Sequence, residues 1–388
     1  MMHRRQFCAA LLMGAASLLA DGPASAATHY DLAAGQPIQQ FATLPWLCNA
    51  LAITSDGRVF VGLPRWPGYE KTPSLAQLMP DGTLKPFPGG TWNDWAPGKP
   101  TANALVDVNT IHIFDDDTIW VVDQGAPFFG GIVDRDAHKI LQFDSHTGKL
   151  LRKITLSPDV LPPGAALNDI RIDANYAYFT DSGAGAIVIV NLKTGKAIRR
   201  LAGDVSVKAD PARPPITESG KPLMKADGTV LGVNSDPIEI SPDGKWLYYQ
   251  ALTGPMYRVE TKLLRDEKMS EAELSKHVQF VYDTPPLVGT AMDSAGNLYM
   301  AELGKPRITV LSPDGALRTL AEDDRLWGPD AMIITKNREL YVPIPQTARL
   351  APLRGPGGKD AVQPPFKIYR IKLPSWLGNR EKVPPVSH

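Results

Sequence analysis

Six residues spaced along the chain hold most of the chemistry it could do: Asn49, Asn109, Asn168, Asp236, Val288 and Asp330. Each opens a copy of one pattern, a β-rich run, a turn and a second β-rich run. All but Val288 carry a side-chain oxygen. Asn and Asp oxygens drawn to one point make a hard donor set suited to calcium or magnesium, with Asn168, Asp236 and Asp330 as the candidate metal ligands. The same residue types also favour strand starts on their own account, because short polar side chains hydrogen-bond the adjacent backbone. A second set, His112, Arg171 and Glu239, stands three residues after Asn109, Asn168 and Asp236. As chemistry it offers a general base. As structure it offers an ion pair between neighbouring repeats beside a hydrogen-bonded core histidine.

The elements that must position these residues follow from the repeat. In every copy but the fifth, alternate positions after the opening residue are apolar (Leu51 and Ile53, Ile111 and Ile113, Ile170 and Ile172, Ile238 and Ile240, Met332 and Ile334), the period of a strand. Asp56-Gly57, Asp243-Gly244 and Gly296-Asn297 supply turn residues that tolerate positive φ. A second hairpin follows, clearest at 139–154, 186–201 and 307–320, so each unit is a four-stranded sheet. Opening residues lie 60, 59, 68, 52 and 42 residues apart, the spacing of propeller blades, whose sheets bury their faces only against their neighbours in a closed ring. The expected fold is all-β, a six-bladed β-propeller, with the opening residues around the axis at one end. A helix is expected over 265–281, with Ser270 and Glu273 as a capping box. Residues 36–42 are expected to supply the outer strand of the last blade.

Loops at the same end (65–74, 88–108, 124–138, 203–235 and 343–365) would form the rim and bring Trp66, Trp92, Trp95, Phe128, Phe129 and Trp327 to the mouth. Aromatic rings above a carboxylate suit an aromatic amine or a planar ring; rings on long loops also staple those loops to the fold.

Lys plus Arg and Asp plus Glu both number 41, so the chain lacks the basic field that attracts nucleic acid or anionic membranes. A small-molecule ligand is the expected partner, with no nucleic acid and no membrane insertion. The chain opens with His3-Arg4-Arg5, an apolar stretch over 7–20 and Ala24-Ser25-Ala26, the layout of a cleavable secretory signal. Residues 1–26 are expected to be removed, leaving 27–388 as one propeller domain in a secreted or periplasmic protein. Arg4-Arg5-Gln6-Phe7 also fits twin-arginine export, and equally the basic start of an ordinary signal. Cys8 leaves with the signal and Cys48 alone remains, so no internal disulfide is expected. No phosphate-cradling Gly-Lys loop, Cys-x-x-Cys, His-Glu-x-x-His or Gly-x-Ser-x-Gly occurs, which argues against a nucleotide enzyme, a zincin and an α/β-hydrolase.

LPRW (63–66), IWVVDQG (119–125), YFTDSGAGAIVIVNLKTGKAIRRL (178–201), SPDGKWLYYQALTGPMYRVETKLLRD (241–266) and SEAELSKHVQFV (270–281) resemble the Yellow / major royal jelly proteins and their bacterial relatives. The resemblance implies a six-bladed propeller, secretion and, as in several members, a small ligand at the central opening; some members are linked to dopachrome conversion. It carries over no catalytic residue by position. The fourth repeat departs from the family's Asp-Gly-Ile, reading Asp236-Pro237-Ile238, and so lacks a backbone N–H. A second resemblance is to the gluconolactonase-type lactonases, which hold a divalent ion with an acid, an Asn and an Asp from such strand starts. With the blades rotated by one, Asp330, Asn168 and Asp236 fall at those places, and Asn109 is the extra Asn.

Two functions compete on these grounds. One is binding, or isomerising, a small aromatic or amine ligand at the axial mouth through Asn49, Asn109, Trp66, Phe128, Phe129 and Trp327. The other is a divalent-metal-dependent lactonase using Asn168, Asp236 and Asp330. A scaffold for protein partners on the propeller face is a third reading, since fold does not fix function.

Overall fold

The structure, a computed structural model, describes residues 29–31, 35–68, 71, 73–114, 116–126 and 136–378. The signal-like residues 1–26 and the rim residues Phe128 and Phe129 lie outside the described residues. The described strands form six sheets. Blade 1 is Ala50–Ile53, Val59–Gly62, Leu75–Leu78 and Leu84–Pro86; blade 2 is Val108–Ile113, Thr118–Asp123, Lys139–Asp144 and Leu150–Ile154. Blade 3 is Leu167–Asp173, Tyr176–Asp181, Ala186–Asn191 and Ala197–Arg200; blade 4 is Ser235–Ile240, Trp246–Ala251, Met256–Glu260 and Gln279–Tyr282. Blade 5 is Leu287–Met292, Leu298–Glu302, Arg307–Leu311 and Leu317–Glu322.

Blade 6 takes strands from both ends of the chain: Ile333–Ile334, Glu339–Ile344 and Phe366–Lys372, then Ile38–Leu44. Ile38 lies opposite Ile371 and Leu44 opposite Phe366, antiparallel, so the segment expected at the outer edge of this blade is there. The closure pairs the outermost strand of the first stretch of chain with the last, and leaves no open gap in the ring of sheets. Blade 5 carries a fifth strand that the repeat does not foreshadow: His29–Asp31 runs parallel to Leu317–Thr319. Three residues are too few to show a period.

The core lies between blades. Trp120, Val122 and Ile140 of blade 2 pack on Ile170, Phe179 and Val188 of blade 3, and Tyr178, Ile187 and Ile189 on the other face of blade 3 meet Ile238, Leu247 and Tyr249 of blade 4. Ala186–Asn191 is buried on both faces, which is why its sequence AIVIVN is an unbroken apolar run and not an alternation. Each such fully buried side chain contributes roughly 1.5–3 kcal/mol through area removed from water.

The helix expected over 265–281 is corrected. Two short helices form, Thr261–Leu264 and Glu271–Ser275, and the chain then enters the strand Gln279–Tyr282. The Ser270 half of the expected capping box forms, its side chain accepting from the Glu273 N–H at 3.2 Å, while the Glu273 carboxylate accepts from Lys276 at 2.8 Å. Leu274 is fully buried and anchors the turn. Beyond it, Val278, Phe280 and Val281 give the segment strand character, and pairing with Met256–Arg258 outweighs the helical spacing of 274, 278 and 281.

Candidate functional site

A recurrent fault in the ladders aims the opening residues at the axis. In blades 2 to 5 the register between the first and second strands shifts between Val108 and Thr110, Leu167 and Ile170, Ser235 and Ile238, and Leu287 and Gly289. These shifts straddle Asn109, Asn168, Asp236 and Val288. A bulge leaves a residue out of the pairing and re-aims its side chain. Pro237 sits in the fourth of these repeats inside the shift, where the missing N–H costs no ladder bond. All six opening residues line one axial cavity of about 90 Å³.

The side chains around the ring are ordered by hydrogen bonds. Asn49 Nδ2 donates to Asn109 O (3.1 Å), Asn109 Nδ2 to Asn168 Oδ1 (2.7 Å), and Asn168 Nδ2 to Asp236 Oδ1 (2.6 Å). Three amides thus pass donors in one direction and end on a carboxylate. On the other side of Val288, Asp330 Oδ1 accepts from the Ala331 N–H at 2.8 Å. Gly289 makes room for this: a Cβ there would lie 2.6 Å from Asp330 O, so no other residue fits without moving the Asp330 backbone.

Both carboxylates keep some surface on the channel yet sit deep in the protein. Burial pushes Asp330 up to about 8, against the pull of the Ala331 N–H. Burial, and then the charges of Asp330 and Asp169, hold Asp236 well above the usual carboxylate range. Among the described residues no Lys or Arg lines the axial cavity or its continuation below the ring. Cys48 is buried, with its thiol held up by burial and by Asp330, so it is not a thiolate nucleophile.

Below the ring the channel narrows to about 10 Å³ at Thr110, Asp169, Pro237 and Thr290. A polar belt closes it. Arg171 makes a bidentate pair with Glu239 (Nε to Oε2 3.0 Å, Nη2 to Oε1 2.7 Å), and its Nη1 reaches Asp169 Oδ2 at 2.9 Å. Thr110 donates to Asp169 and Thr290 to Glu239, tying in the inner strands of blades 2 and 5. The structure therefore joins two of the three residues aligned at the third position, as an inter-blade ion pair. His112, the third, is buried with its ring tilted against Phe114 at 4.4 Å and lines the cavity at the opposite end of the axis.

Above the ring the wall is aliphatic: Leu223, Leu231 and Val233 from the 203–235 loop, Leu353 from the 343–365 loop, and Leu252 and Leu303. Of the expected rim aromatics among the described residues, only Trp66 lines this cavity. Trp327 lines a shallow neighbouring hollow with Arg349 and Glu218. Trp92 packs edge-on against Phe143 at 5.2 Å, and Trp95 lies under the Arg65 guanidinium, so these two staple the 88–108 loop. The aliphatic wall escaped sequence reading because its residues sit in long loops without a period. The signal available was PLMKADGTVLGV (222–233), more apolar than a solvated loop needs. The two loops are clamped over the mouth by a bidentate Arg349–Glu218 pair (2.6 and 2.7 Å) and by the Met224 N–H on Leu353 O.

As a metal site the ring is short of acceptors. Among the described residues no three His, Cys, Asp or Glu side chains cluster as a metal would need. Asn168 turns its N–H₂ toward Asp236, and its oxygen is taken by Asn109.

The fold has solved counterparts at low identity. Regucalcin, a calcium-binding protein from Agrobacterium tumefaciens, is 14% identical, with 93% of this chain and 100% of that chain covered and a TM-score of 0.51. A gluconolactonase from Xanthomonas campestris is 12% identical, with 88% and 92% covered and a TM-score of 0.51. Such likenesses speak for the propeller alone. No curated protein sequence matches this chain. The sequence profile of the major royal jelly proteins matches residues 106–345, which run from the loop before Asn109 to the end of the second strand of blade 6 and hold five of the six opening residues. That span is well over half of the chain, and the chain belongs to the major royal jelly protein family.

Proposed function

We propose that this protein is an exported small-molecule binder whose axial ring takes a compact organic ammonium ion. The observation that carries the reading is the pair Asp236 and Asp330, two buried carboxylates on one channel with no basic side chain among the described residues of its walls. Like charges so placed resist ionisation until a cation enters. The Asn49–Asn109–Asn168 amides hold Asp236 in position, and the aliphatic wall with Trp66 receives the apolar body of an amine. The narrow lower channel favours a ligand that enters from the loop-covered mouth.

Calorimetric titration with phenethylamine, a set of biogenic amines, calcium, magnesium and zinc tests this. Amines should bind wild type, and Asp236→Asn and Asp330→Asn should each weaken them at least about tenfold. Equal binding by both variants would dismiss the ring as the site. The lactonase reading through Asn168, Asp236 and Asp330 is the second candidate, supported by two carboxylates and an amide from strand starts. It predicts a melting point that falls on chelation, whereas the amine reading predicts one that chelation leaves alone. Export rests on residues 3–26 and is checked by N-terminal sequencing of purified protein, with Ala27 as the expected first residue.

A further inference from the structure

At the end of the axis opposite the ring, a cavity of about 290 Å³ opens between blades 6, 1 and 2. Its origin is in the closing blade. The inner strand there keeps only Ile333–Ile334 in its ladder. It meets the inner strand of blade 1 by a parallel bridge at Ala331 and Ala50, near the ring. Past that bridge the cavity opens, lined by Ile53, which packs on the core between blades 6 and 1, and by Ile334, which belongs to the core between blades 5 and 6. A well-packed β core does not leave a space of this size without a ligand or water to fill it, and the volume lies at the lower end of small-molecule sites.

The lining is amphipathic in a definite order. Ile53, Ile113 and Ile334 form the flanks. His112 stands at the inner end, 5% exposed, its ring held against Phe114. Among the described residues the lining carries one acid and one base, Asp117 and Lys336. The acid is engaged: Asp117 Oδ1 accepts from the Ser55 N–H at 2.7 Å and its other oxygen from the Ser55 hydroxyl. Lys336 is exposed, and among the described residues no carboxylate pairs with it. The mouth therefore presents a free ammonium beside a carboxylate whose oxygens are held by Ser55, with apolar walls leading inward to an imidazole.

We propose that this cavity is a second binding site, for a small carboxylic acid with an apolar body. The carboxylate sits at Lys336, the body lies between Ile53, Ile113 and Ile334, and its far end reaches His112. The site shares no residue with the axial ring and takes the opposite charge, so it stands or falls independently of the amine reading.

The probes are phenylacetate, octanoate and the neutral phenylacetamide, titrated calorimetrically into the full-length mature protein. Phenylacetate or octanoate should bind wild type and Asp236→Asn alike, with phenylacetamide at least tenfold weaker. Lys336→Glu, an exposed change that leaves the core untouched, should reduce carboxylate binding at least tenfold, and Ile113→Trp, which fills the cavity, should abolish it. Should Ile113→Trp fail to melt cooperatively, Lys336→Glu decides alone. Wild-type protein that takes up neither carboxylate at millimolar concentration overturns the proposal, as does undiminished binding by Lys336→Glu or loss of binding in Asp236→Asn.

Discussion

Asp236 and Asp330 carry opposite consequences for stability and for binding. Burial raises Asp330 to about 8, whereas an unfolded Asp titrates near 4. Between those values the folded protein holds a proton that the unfolded chain has released. Stability contributed by this group is thus fully present below about pH 4 and lost as pH rises to about 8. Asp330→Asn removes that loss. The difference in melting temperature between variant and wild type is expected to grow in the variant's favour from pH 5 to pH 8 and to level off above; a difference that stays flat would show that Asp330 ionises freely in the fold. Amine binding runs the other way and should strengthen over the same range, because the cation needs the carboxylate charged.

At the scale of elements, the bulge and the belt make the ring a property of strand pairs. Gly289 is a tight joint, since any Cβ there meets the Asp330 backbone. Gly289→Ala is expected to cost about 1–3 kcal/mol, as overpacking does, and to weaken amine binding although it touches no ligand. Chemical denaturation and titration of the same sample check both. The Arg171–Glu239 pair is 3% and 2% exposed at its side chains. Removing one partner leaves a buried charge, so Arg171→Met should cost about 3–5 kcal/mol. The double variant Arg171→Met with Glu239→Leu should recover much of that, because the uncompensated charge goes with it. A double variant as weak as the single would mean that packing at the belt, and not charge, holds blades 3 and 4 together.

For the whole molecule the decisive feature is closure. Ile38–Leu44 covers the edge of Phe366–Lys372, joining the early and late chain in one sheet. A propeller without that strand has an open edge and an uncovered face on Phe366 and Ile368, both fully buried here. Deleting residues 29–44 is expected to abolish cooperative melting and to shift the protein to aggregates on size exclusion, whereas deleting only 29–34 removes the parallel strand on blade 5 and should lower the melting temperature by a few degrees at most. Equal damage from both deletions would mean that the parallel strand matters as much as the closing one.

Period-2 alternation, Gly-containing turns and a self-similar spacing are local properties, so the six blades, the ring of opening residues and the outer strand at 36–42 were legible in the sequence. So was the partnership of Arg171 with Glu239, because equivalent positions in adjacent blades are neighbours in space. What no window of residues contains is the packing of segments far apart in the chain. Strand pairing with Met256–Arg258 overrode the helical spacing around Val278. The aliphatic wall above the ring comes from two loops more than a hundred residues apart, brought together by contacts such as Arg349 with Glu218. His112 also lines the cavity at the far end of the axis, together with loop residues from 54–57 and 335–337 that its place in the repeat does not bring to mind. Repeat chemistry is written along the chain, but the asymmetry that puts two carboxylates at one end of the channel and an Asp117 and Lys336 pair of opposite charges at the other arises only when the ring closes.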